Sequence, residues 1–271
     1  MSVHEIHDLT DPRLAPYLGI RHKNWTHASG WFIAEGPLLV ERLLVSEYQA
    51  HSVLLDRKYF DHYRHLAREN TPLIVVDHDQ IETIAGFNFH RGILACGLRQ
   101  SELTVLNDFP SGIATNETIL VTVGVQDPEN LGGMLRTCAA LGIRHVIIGP
   151  GTADPLSRRV LRVSMGNALK LKLYRSRDIQ ADLDFLHQRQ AVESVAACLS
   201  EDSCPLEGFV RHGPIALLLG NERHGLPPEL SNRSHRRIRI EMEMNTDSLN
   251  VCVAAGILMH YLCRLAPHRT A

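Results

Sequence analysis

The stretch TILVTVGVQDPENLGGMLRTCAALGIRHVIIG, residues 118–149, sets the expected fold of this chain. It predicts a strand over residues 118–125, a helix over residues 130–142 and a second strand over residues 145–149. Strands that alternate with helices in this way form βαβ units, whose strands run parallel and are buried on both faces. We therefore expect a parallel α/β sheet in this part of the chain.

The alternation continues to the C-terminus. Helical spacing of apolar residues predicts a helix over residues 155–169 and a long closing helix over residues 248–266. Short apolar runs predict further strands at residues 191–200, 214–220 and 235–242.

Residues 30–98 show the same alternation on a smaller scale. Helices are predicted at residues 36–47, 58–70 and 79–86, and strands of a mainly parallel sheet at residues 52–56, 72–77 and 91–98. The sequence thus predicts an N-terminal α/β domain over residues 1–100, a linker over residues 101–117 and a C-terminal domain over residues 118–271.

Composition limits the possible classes of function. The 271 residues include 28 Lys plus Arg and 30 Asp plus Glu, a formal charge of −2. This balance excludes a highly basic, non-specific nucleic-acid binder but leaves a local basic face open. The six cysteines contain no CxxC pair, so we expect reduced thiols, no metal site and a cytoplasmic protein. Neither a signal peptide nor a membrane span is predicted.

The first segment with candidate chemistry is DPENLGGMLRTCAALG, which follows a predicted strand. Asn130 can cap the following helix. Gly132 and Gly133 are poor helix formers and indicate close approach of another backbone or a ligand. Arg136 lies about 9 Å along the helix axis from Asn130. The alternative is a capped helix with a surface arginine.

Two more segments place polar groups after strands. In ALLLGNERHGLPPEL, Asn221 and Glu222 lie between glycines where a strand ends, and ligands of open α/β sheets bind beyond such ends. In IRIEMEMNTDSLNVCVAAGI, Ser248 or Asp247 can cap a helix whose first N–H groups can also bind a ligand. The alternatives are a tight turn before a helix and a capped buried helix.

Together the three segments resemble the SpoU/TrmH family of RNA ribose 2′-O-methyltransferases, in the SPOUT class. The resemblance rests on Asn130 with Arg136, on Gly220-Asn221-Glu222 with Gly225, and on Ser248-Leu249-Asn250-Val251, in the family's order. The segment RVSMGNA, residues 162–168, is similar to the family's Ser-x-Gly segment through Ser164 and Gly166. The resemblance covers residues 118–266. Residues 32–44 and 90–95 more loosely resemble the family's RNA-binding N-terminal domain.

The resemblance implies a C-terminal α/β domain with a deep trefoil knot whose loops hold S-adenosyl-L-methionine. It also implies a homodimer formed through this domain, with RNA contacting both subunits. The closing helix, residues 248–266, suits either that interface or a core. The cofactor-binding residues implied are Leu219, Gly220, Asn221, Gly225, Ile240, Met242, Ser248 and Leu249.

The reaction implied is attack of a ribose 2′-oxygen on the sulfonium methyl group, which needs no metal. By the same resemblance Arg136 acts on the 2′-hydroxyl, supported by Asn130 and Glu222, while Ser248 and Asn250 complete the site by hydrogen bonding. Because a free guanidinium has a pKa above 12, Arg136 either accepts the proton or pairs with a phosphate and orients the ribose.

An RNA substrate requires basic surface. Residues 156–177 contain seven basic side chains and no acid, and residues 233–239 contain a second arginine cluster. Each cluster has the alternative of a solvated helix face. The predicted RNA-binding residues are Arg158, Arg159, Arg162, Arg21, Lys23 and Arg91. The two-domain layout favours ribosomal RNA over transfer RNA.

The sequence departs from the family pattern at three positions. Glu241 and Met244 stand where the family commonly has proline and glycine, and Arg91 replaces a glutamine. A non-catalytic RNA-binding relative, with Glu241 and Met244 marking a decayed pocket, is therefore the alternative. A dinucleotide-dependent enzyme is discounted because no GxGxxG follows a predicted strand.

Overall fold

The computed structural model describes residues 2–18, 20, 30–86, 91–200, 202–244 and 247–267. Its contacts group into two compact units, one of Met1–Ser101 with Pro155–Lys170 and one of Glu102–Asp154 with Leu171–Ala271. The predicted domain boundaries stay a prediction. The structure adds that residues 155–170 pack with the first unit and that residues 102–117 group with the second.

Within the described residues, the strands are β1 (Val3–Glu5), β2 (Trp31–Glu35), β3 (Ala50–Asp56), β4 (Leu73–Val76), β5 (Ile93–Leu98), β6 (Thr118–Thr122), β7 (His145–Ile148), β8 (Lys172–Arg175), β9 (Glu193–Ala197), β10 (Cys204–Pro205), β11 (Ile215–Leu219) and β12 (Arg236–Arg239). The α-helices are α1 (Pro37–Val45), α2 (Phe60–Tyr63), α3 (His78–Ala85), α4 (Val105–Asp108), α5 (Pro128–Leu141), α6 (Arg158–Val163), α7 (Ile179–Gln190), α8 (Pro228–Arg233) and α9 (Val251–His260).

The sheet of the first unit has the strand order β1-β4-β3-β5-β2. Strand β5 runs antiparallel to both β3 and β2, whereas β1, β4 and β3 pair in parallel. Of these five strands, four therefore point the same way and β5 runs against them, so the predicted mainly parallel sheet is mixed in its pairing. Alternation of helices and strands does not fix the direction of a strand unless its connection is a full crossover.

The segment 155–170 joins this first unit through α6, which packs against β2. Arg158 donates to Glu35 at 2.8 Å, and Arg42 of α1 donates to the carbonyl oxygen of Met165. Val160 and Leu161 are fully buried. The segment is therefore an integral part of the unit's core.

Over the described residues the second unit has a seven-stranded sheet in the order β10-β12-β9-β11-β6-β7-β8. Every pair in it is parallel, as predicted. The central strands β11 and β6 are buried along their whole length. Leu219 pairs with Thr122, so the carboxyl ends of these two strands lie side by side.

Several predicted boundaries shift. The predicted helix over residues 58–70 ends at Tyr63, and the closing helix begins at Val251 and continues after His260 as a π-helical turn, Tyr261–Leu265. The prediction missed the strands β1, β2, β8 and β10 and the helices α4 and α7. Among the residues described, no helix combines the length and apolar character that crossing a membrane requires.

Helices α5 and α9 pack closely against each other. A Cβ added at Gly133 of α5 would lie 2.3 Å from Sγ of Cys252 in α9. The glycines predict the approach of another backbone or a ligand, but the group that approaches Gly133 is the Cys252 side chain. It brings the start of α9 beside the start of α5.

Candidate functional site

Three loops follow strands of the second unit at their carboxyl ends. They contain residues 123–127 after β6, residues 220–226 after β11, and residues 240–244 with 247–250 after β12. Since the strands are parallel, these loops lie at the same edge of the sheet, where ligands of open α/β sheets bind.

The loop after β11 is a tight hairpin. The backbone groups of Asn221 and Gly225 bond each other at 3.0 and 2.9 Å, and Asn221 Oδ1 accepts the N–H groups of Arg223 and His224. A Cβ at Gly220 would lie 2.2 Å from the carbonyl carbon of Gly225, so only glycine fits at position 220. The loop shape is therefore fixed by its own backbone and by Asn221.

A chain of hydrogen bonds joins the first turn of α5 to the loops after β11 and β12. Glu222 Oε1 accepts from Asn130 Nδ2 at 3.0 Å, and Asn130 Oδ1 accepts from Asn250 Nδ2 at 2.9 Å. Asn250 Oδ1 accepts the backbone N–H groups of Cys252 and Val253 at 2.9 and 3.3 Å. We call Glu222, Asn130 and Asn250 the amide array. Residues 92 and 120 positions apart thus form one polar site.

Both predicted helix caps are wrong. Helix α5 begins at Pro128 with Asp127 as its cap, so Asn130 lies in the first turn with its side chain free to bond the other loops. Helix α9 begins at Val251, and its cap is Asn250 instead of Ser248 or Asp247. Each cap is the polar residue directly before the first helical residue.

The array has a fixed direction. The backbone N–H groups of Cys252 and Val253 can only donate, so the Asn250 side chain must turn its oxygen toward them. The nitrogen of Asn250 then donates to Asn130, and the nitrogen of Asn130 donates to Glu222. Burial alone would raise the pKa of Glu222, but hydrogen bonds from the Asn130 side chain and from the backbone N–H groups of Glu222, Asp127 and Gln126 outweigh burial and lower it. Glu222 is therefore an ionised acceptor at neutral pH.

The loops after β11 and β12, together with the carboxyl end of β9 and the start of α9, enclose a cleft of about 480 Å³. Every predicted cofactor-binding residue lines it, namely Leu219, Gly220, Asn221, Gly225, Ile240, Met242, Ser248 and Leu249. Glu222 of the amide array lines it too. The volume lies in the range of small-molecule sites.

The sequence prediction missed part of the wall. Ala197, Cys198 and Leu199 line the cleft at the carboxyl end of β9, and Leu226 and Leu258 add apolar surface. The signal for the first three was present, because their predicted strand ends at the same edge of the sheet. The two leucines carry no such signal.

Of the predicted catalytic residues, Glu222 and Ser248 line the cleft, and Asn130 and Asn250 are joined to it through Glu222. Arg136 is not brought to this site. It is exposed on α5 and absent from the cleft wall, and its guanidinium has no hydrogen-bond partner among the described residues. Ser248 is exposed at the cleft rim. One chain therefore provides the cofactor cleft and the amide array without the arginine.

Residues 117–260 match the family model described as the SpoU rRNA Methylase family. The chain belongs to the SpoU family. As a family member it is an S-adenosylmethionine-dependent RNA methyltransferase, which confirms the predicted class, cofactor and α/β fold.

Named SpoU relatives and solved structures agree with this membership. An uncharacterized tRNA/rRNA methyltransferase of Mycobacterium bovis is 33% identical over 99% of this chain and 94% of its own length. A 23S rRNA (guanosine-2′-O-)-methyltransferase, RlmB, of Acinetobacter baylyi is 31% identical over 69% of this chain and 75% of its own. An AdoMet-bound rRNA methyltransferase from Sinorhizobium meliloti has a TM-score of 0.79, with 26% identity over 97% of each chain. The alternative of a non-catalytic relative is not supported.

The predicted RNA-binding residues of this SpoU chain lie in its first unit. Arg159, Arg162 and Arg91 are exposed there. Arg158 is instead tied to Glu35, in an ion pair at 2.8 Å. Arg21 and Lys23 lie outside the described residues.

The second arginine cluster is engaged within the protein. Arg236 stacks on Phe209 with its guanidinium 3.8 Å from the ring centre, and it donates to the carbonyl oxygen of Val210. Arg237 lies 3.5 Å from Asp202, and Arg239 donates to the carbonyl oxygen of Ser203. This cluster is not a free basic face.

Two of the three departures from the SpoU pattern, Met244 and Glu241, lie in the loop after β12. Met244 has a φ of 58°, the left-handed conformation that glycine adopts at little cost. Glu241 lies 3.3 Å from Arg239, and these two side chains flank Ile240 of the cleft wall. Both positions lie in the segment after β12, residues 240–244, whose Ile240 and Met242 line the cleft.

Proposed function

We propose that this SpoU methylase transfers a methyl group to a ribose 2′-hydroxyl of ribosomal RNA. The amide array at the edge of the cofactor cleft is the observation that carries the proposal. The name of the A. baylyi relative supports the 2′-hydroxyl and ribosomal RNA. Transfer RNA is the second candidate, since the M. bovis relative is named for both RNAs.

The cleft suits S-adenosylmethionine in size and in chemistry. Apolar side chains of Leu219, Ile240 and Leu249 provide walls for the adenine ring, and the polar backbone of residues 220–225 provides donors and acceptors. When bound, the cofactor supplies a methyl group already activated by its positive sulfur. The protein then has to align the ribose oxygen and help it lose its proton.

Different residues around the cleft contribute to binding and aligning the ribose. We assign to Arg136 the binding of the phosphate beside the target ribose, which orients the 2′-hydroxyl, because a free guanidinium is a poor base. The hydroxyl of Ser248, exposed at the rim, hydrogen-bonds the ribose. Glu222 acts through Asn130 and Asn250 and holds the start of α9 in place beneath the ribose.

Since Arg136 is outside the cleft of its own chain, we propose that a homodimer supplies it from the partner subunit. Helix α9 supports such an interface. Its Ala255, Leu258 and Met259 are buried, whereas Val253 and Ile257 are 52% and 41% exposed one turn apart. The helix thus has both a core face and a free apolar face. We also propose the family's trefoil knot and a cytoplasmic location.

We propose that the first unit recruits the RNA. Arg159, Arg162 and Arg91 are its exposed arginines on or near α6 and β5, and Arg158 acts by positioning this segment through Glu35. Phosphate contacts of this kind make binding weaken as salt rises.

Labelled S-adenosylmethionine and unmodified ribosomal and transfer RNA test the proposed reaction. We expect label in ribosomal RNA, at a nucleotide that resists alkaline cleavage because its 2′-oxygen is methylated. Label on a base, or label in transfer RNA alone, would contradict the proposal. Chain cross-linking and sedimentation would report the dimer separately.

A further inference from the structure

We propose that Arg223 binds a backbone phosphate of the RNA substrate at the rim of the cofactor cleft. The inference rests on the proposed function and adds a substrate-binding residue to it. Arg223 occupies a position between Glu222 and Gly225 that the family pattern leaves open.

The position of Arg223 is fixed by the hairpin after β11. Its backbone N–H donates to Asn221 Oδ1 at 2.9 Å, and Asn221 Nδ2 donates to the carbonyl oxygen of Gly124 at 2.8 Å. The hairpin is therefore anchored to the loop after β6. A side chain on this rigid turn can bind a ligand with little loss of backbone entropy.

Arg223 differs from the other arginine of the cleft wall in having a free guanidinium. Arg239 is held by Glu241 and by the carbonyl oxygen of Ser203. Arg223 is exposed, and its guanidinium has no hydrogen-bond or ion-pair partner within the part of the chain that the structure describes. The neighbouring carboxylate of Glu222 is taken up by Asn130. A positive charge at the cleft rim is thus left for an outside ligand.

The chemistry of the substrate indicates which ligand this is. Each ribose in an RNA chain is flanked by two phosphates, so a 2′-hydroxyl at the cleft brings two negative charges with it. Arg136 accounts for one of these in the proposed function. An exposed guanidinium beside Glu222 is suited to the other, since arginine binds phosphate through paired N–H groups. Besides this phosphate, the other anion that Arg223 could bind at the cleft is the carboxylate of the cofactor.

The variant Arg223→Gln distinguishes binding of an RNA phosphate from binding of the cofactor carboxylate. Arg223→Lys is the conservative variant. We expect the KM for RNA to rise roughly three- to tenfold in the glutamine variant, with S-adenosylmethionine affinity by calorimetry unchanged. The dependence of RNA binding on salt should weaken by about one phosphate contact. Arg223→Lys should restore much of the KM. Arg144→Gln is the matched control, because Arg144 is exposed and precedes β7 at the opposite edge of the sheet.

The outcomes are distinguishable. A loss of cofactor affinity matching or exceeding the effect on RNA would assign the guanidinium to the cofactor carboxylate and overturn the inference. An unchanged RNA KM and salt dependence in an active enzyme would also overturn it. If the wild-type protein transfers no methyl group to RNA, the proposed function itself has failed. RNA binding by the wild type and by Arg223→Gln, measured without cofactor, then still tests Arg223.

Discussion

The side chain of Asn250 bonds in two directions, capping α9 with its oxygen and donating to Asn130 Oδ1 at 2.9 Å with its nitrogen. A helix cap usually serves only its own helix. Here the same amide also sets the orientation of Asn130, whose nitrogen then faces Glu222 at 3.0 Å. The start of α9 and the polar edge of the cleft therefore form together.

Substitution of Asn250 separates these two tasks. We expect Asn250→Ala to lower the free energy of unfolding by about 1 kcal/mol, because the helix loses its cap. Asn250→Ser keeps a capping oxygen but is too short to reach Asn130, so its stability should exceed that of the alanine variant. Both should lose methyl transfer. Urea unfolding and initial rates check this, and a fully active serine variant would contradict the role of the array.

The lowered pKa of Glu222 predicts a pH-dependent contribution to stability. The contribution is present above the unfolded-state pKa of about 4.3 and is lost as the pH falls through the lower folded-state value. The stability difference between wild type and Glu222→Gln should therefore be largest near neutral pH and shrink in acid. Unfolding curves at several pH values measure it. Glu229→Gln, an exposed position on α8, is the control. A difference that grows in acid would have the wrong sign.

Arg136→Ala should abolish methyl transfer while leaving S-adenosylmethionine affinity within a few-fold, since Arg136 does not line the cleft. If the partner subunit supplies the arginine, mixing this variant with Glu222→Ala should regain activity in the mixed dimers. Each mixed dimer should contain about one intact site, formed by Glu222 of one chain and Arg136 of the other. Mixtures no more active than their parts would place Arg136 in its own chain's site.

The contact between Gly133 and Cys252 predicts a strongly coupled pair. Gly133→Ala places a Cβ 2.3 Å from the Cys252 sulfur, so the helices must shift, at a cost of about 1–3 kcal/mol. Cys252→Ala in the same chain removes the clash and should recover most of that stability. A double-mutant cycle by thermal or urea unfolding gives the coupling. Additive effects would mean that α5 and α9 pack differently.

The sequence predicts best where burial is continuous. The apolar runs of β6 and β11 identify central strands, and the polar residues after them identify the ligand edge. By contrast, β8 reads Lys172-Leu-Tyr-Arg and lies at the end of the sheet, so it has no apolar run to detect. Helix α7 was missed for a similar reason, because polar residues interrupt its apolar face.

Contacts between distant positions could not be read from spacing. The family pattern groups Asn130, Glu222 and Asn250, but only the folded chain shows the direction in which their amides donate. Likewise, the basic residues of 156–177 are predicted as one RNA-binding run, whereas Arg158 forms an internal ion pair with Glu35. Charge in a sequence does not reveal which groups are already neutralised in the fold.

The path of the chain between its two units limits how the protein can evolve. The chain changes unit three times, at Ser101–Glu102, Asp154–Pro155 and Lys170–Leu171. Exchange of the first hundred residues alone would strip Val160 and Leu161 of the neighbours that bury them. Recombination at a single breakpoint therefore cannot exchange the first unit intact. An exchange that keeps its core needs breakpoints on both sides of residues 155–170 as well as at the first junction.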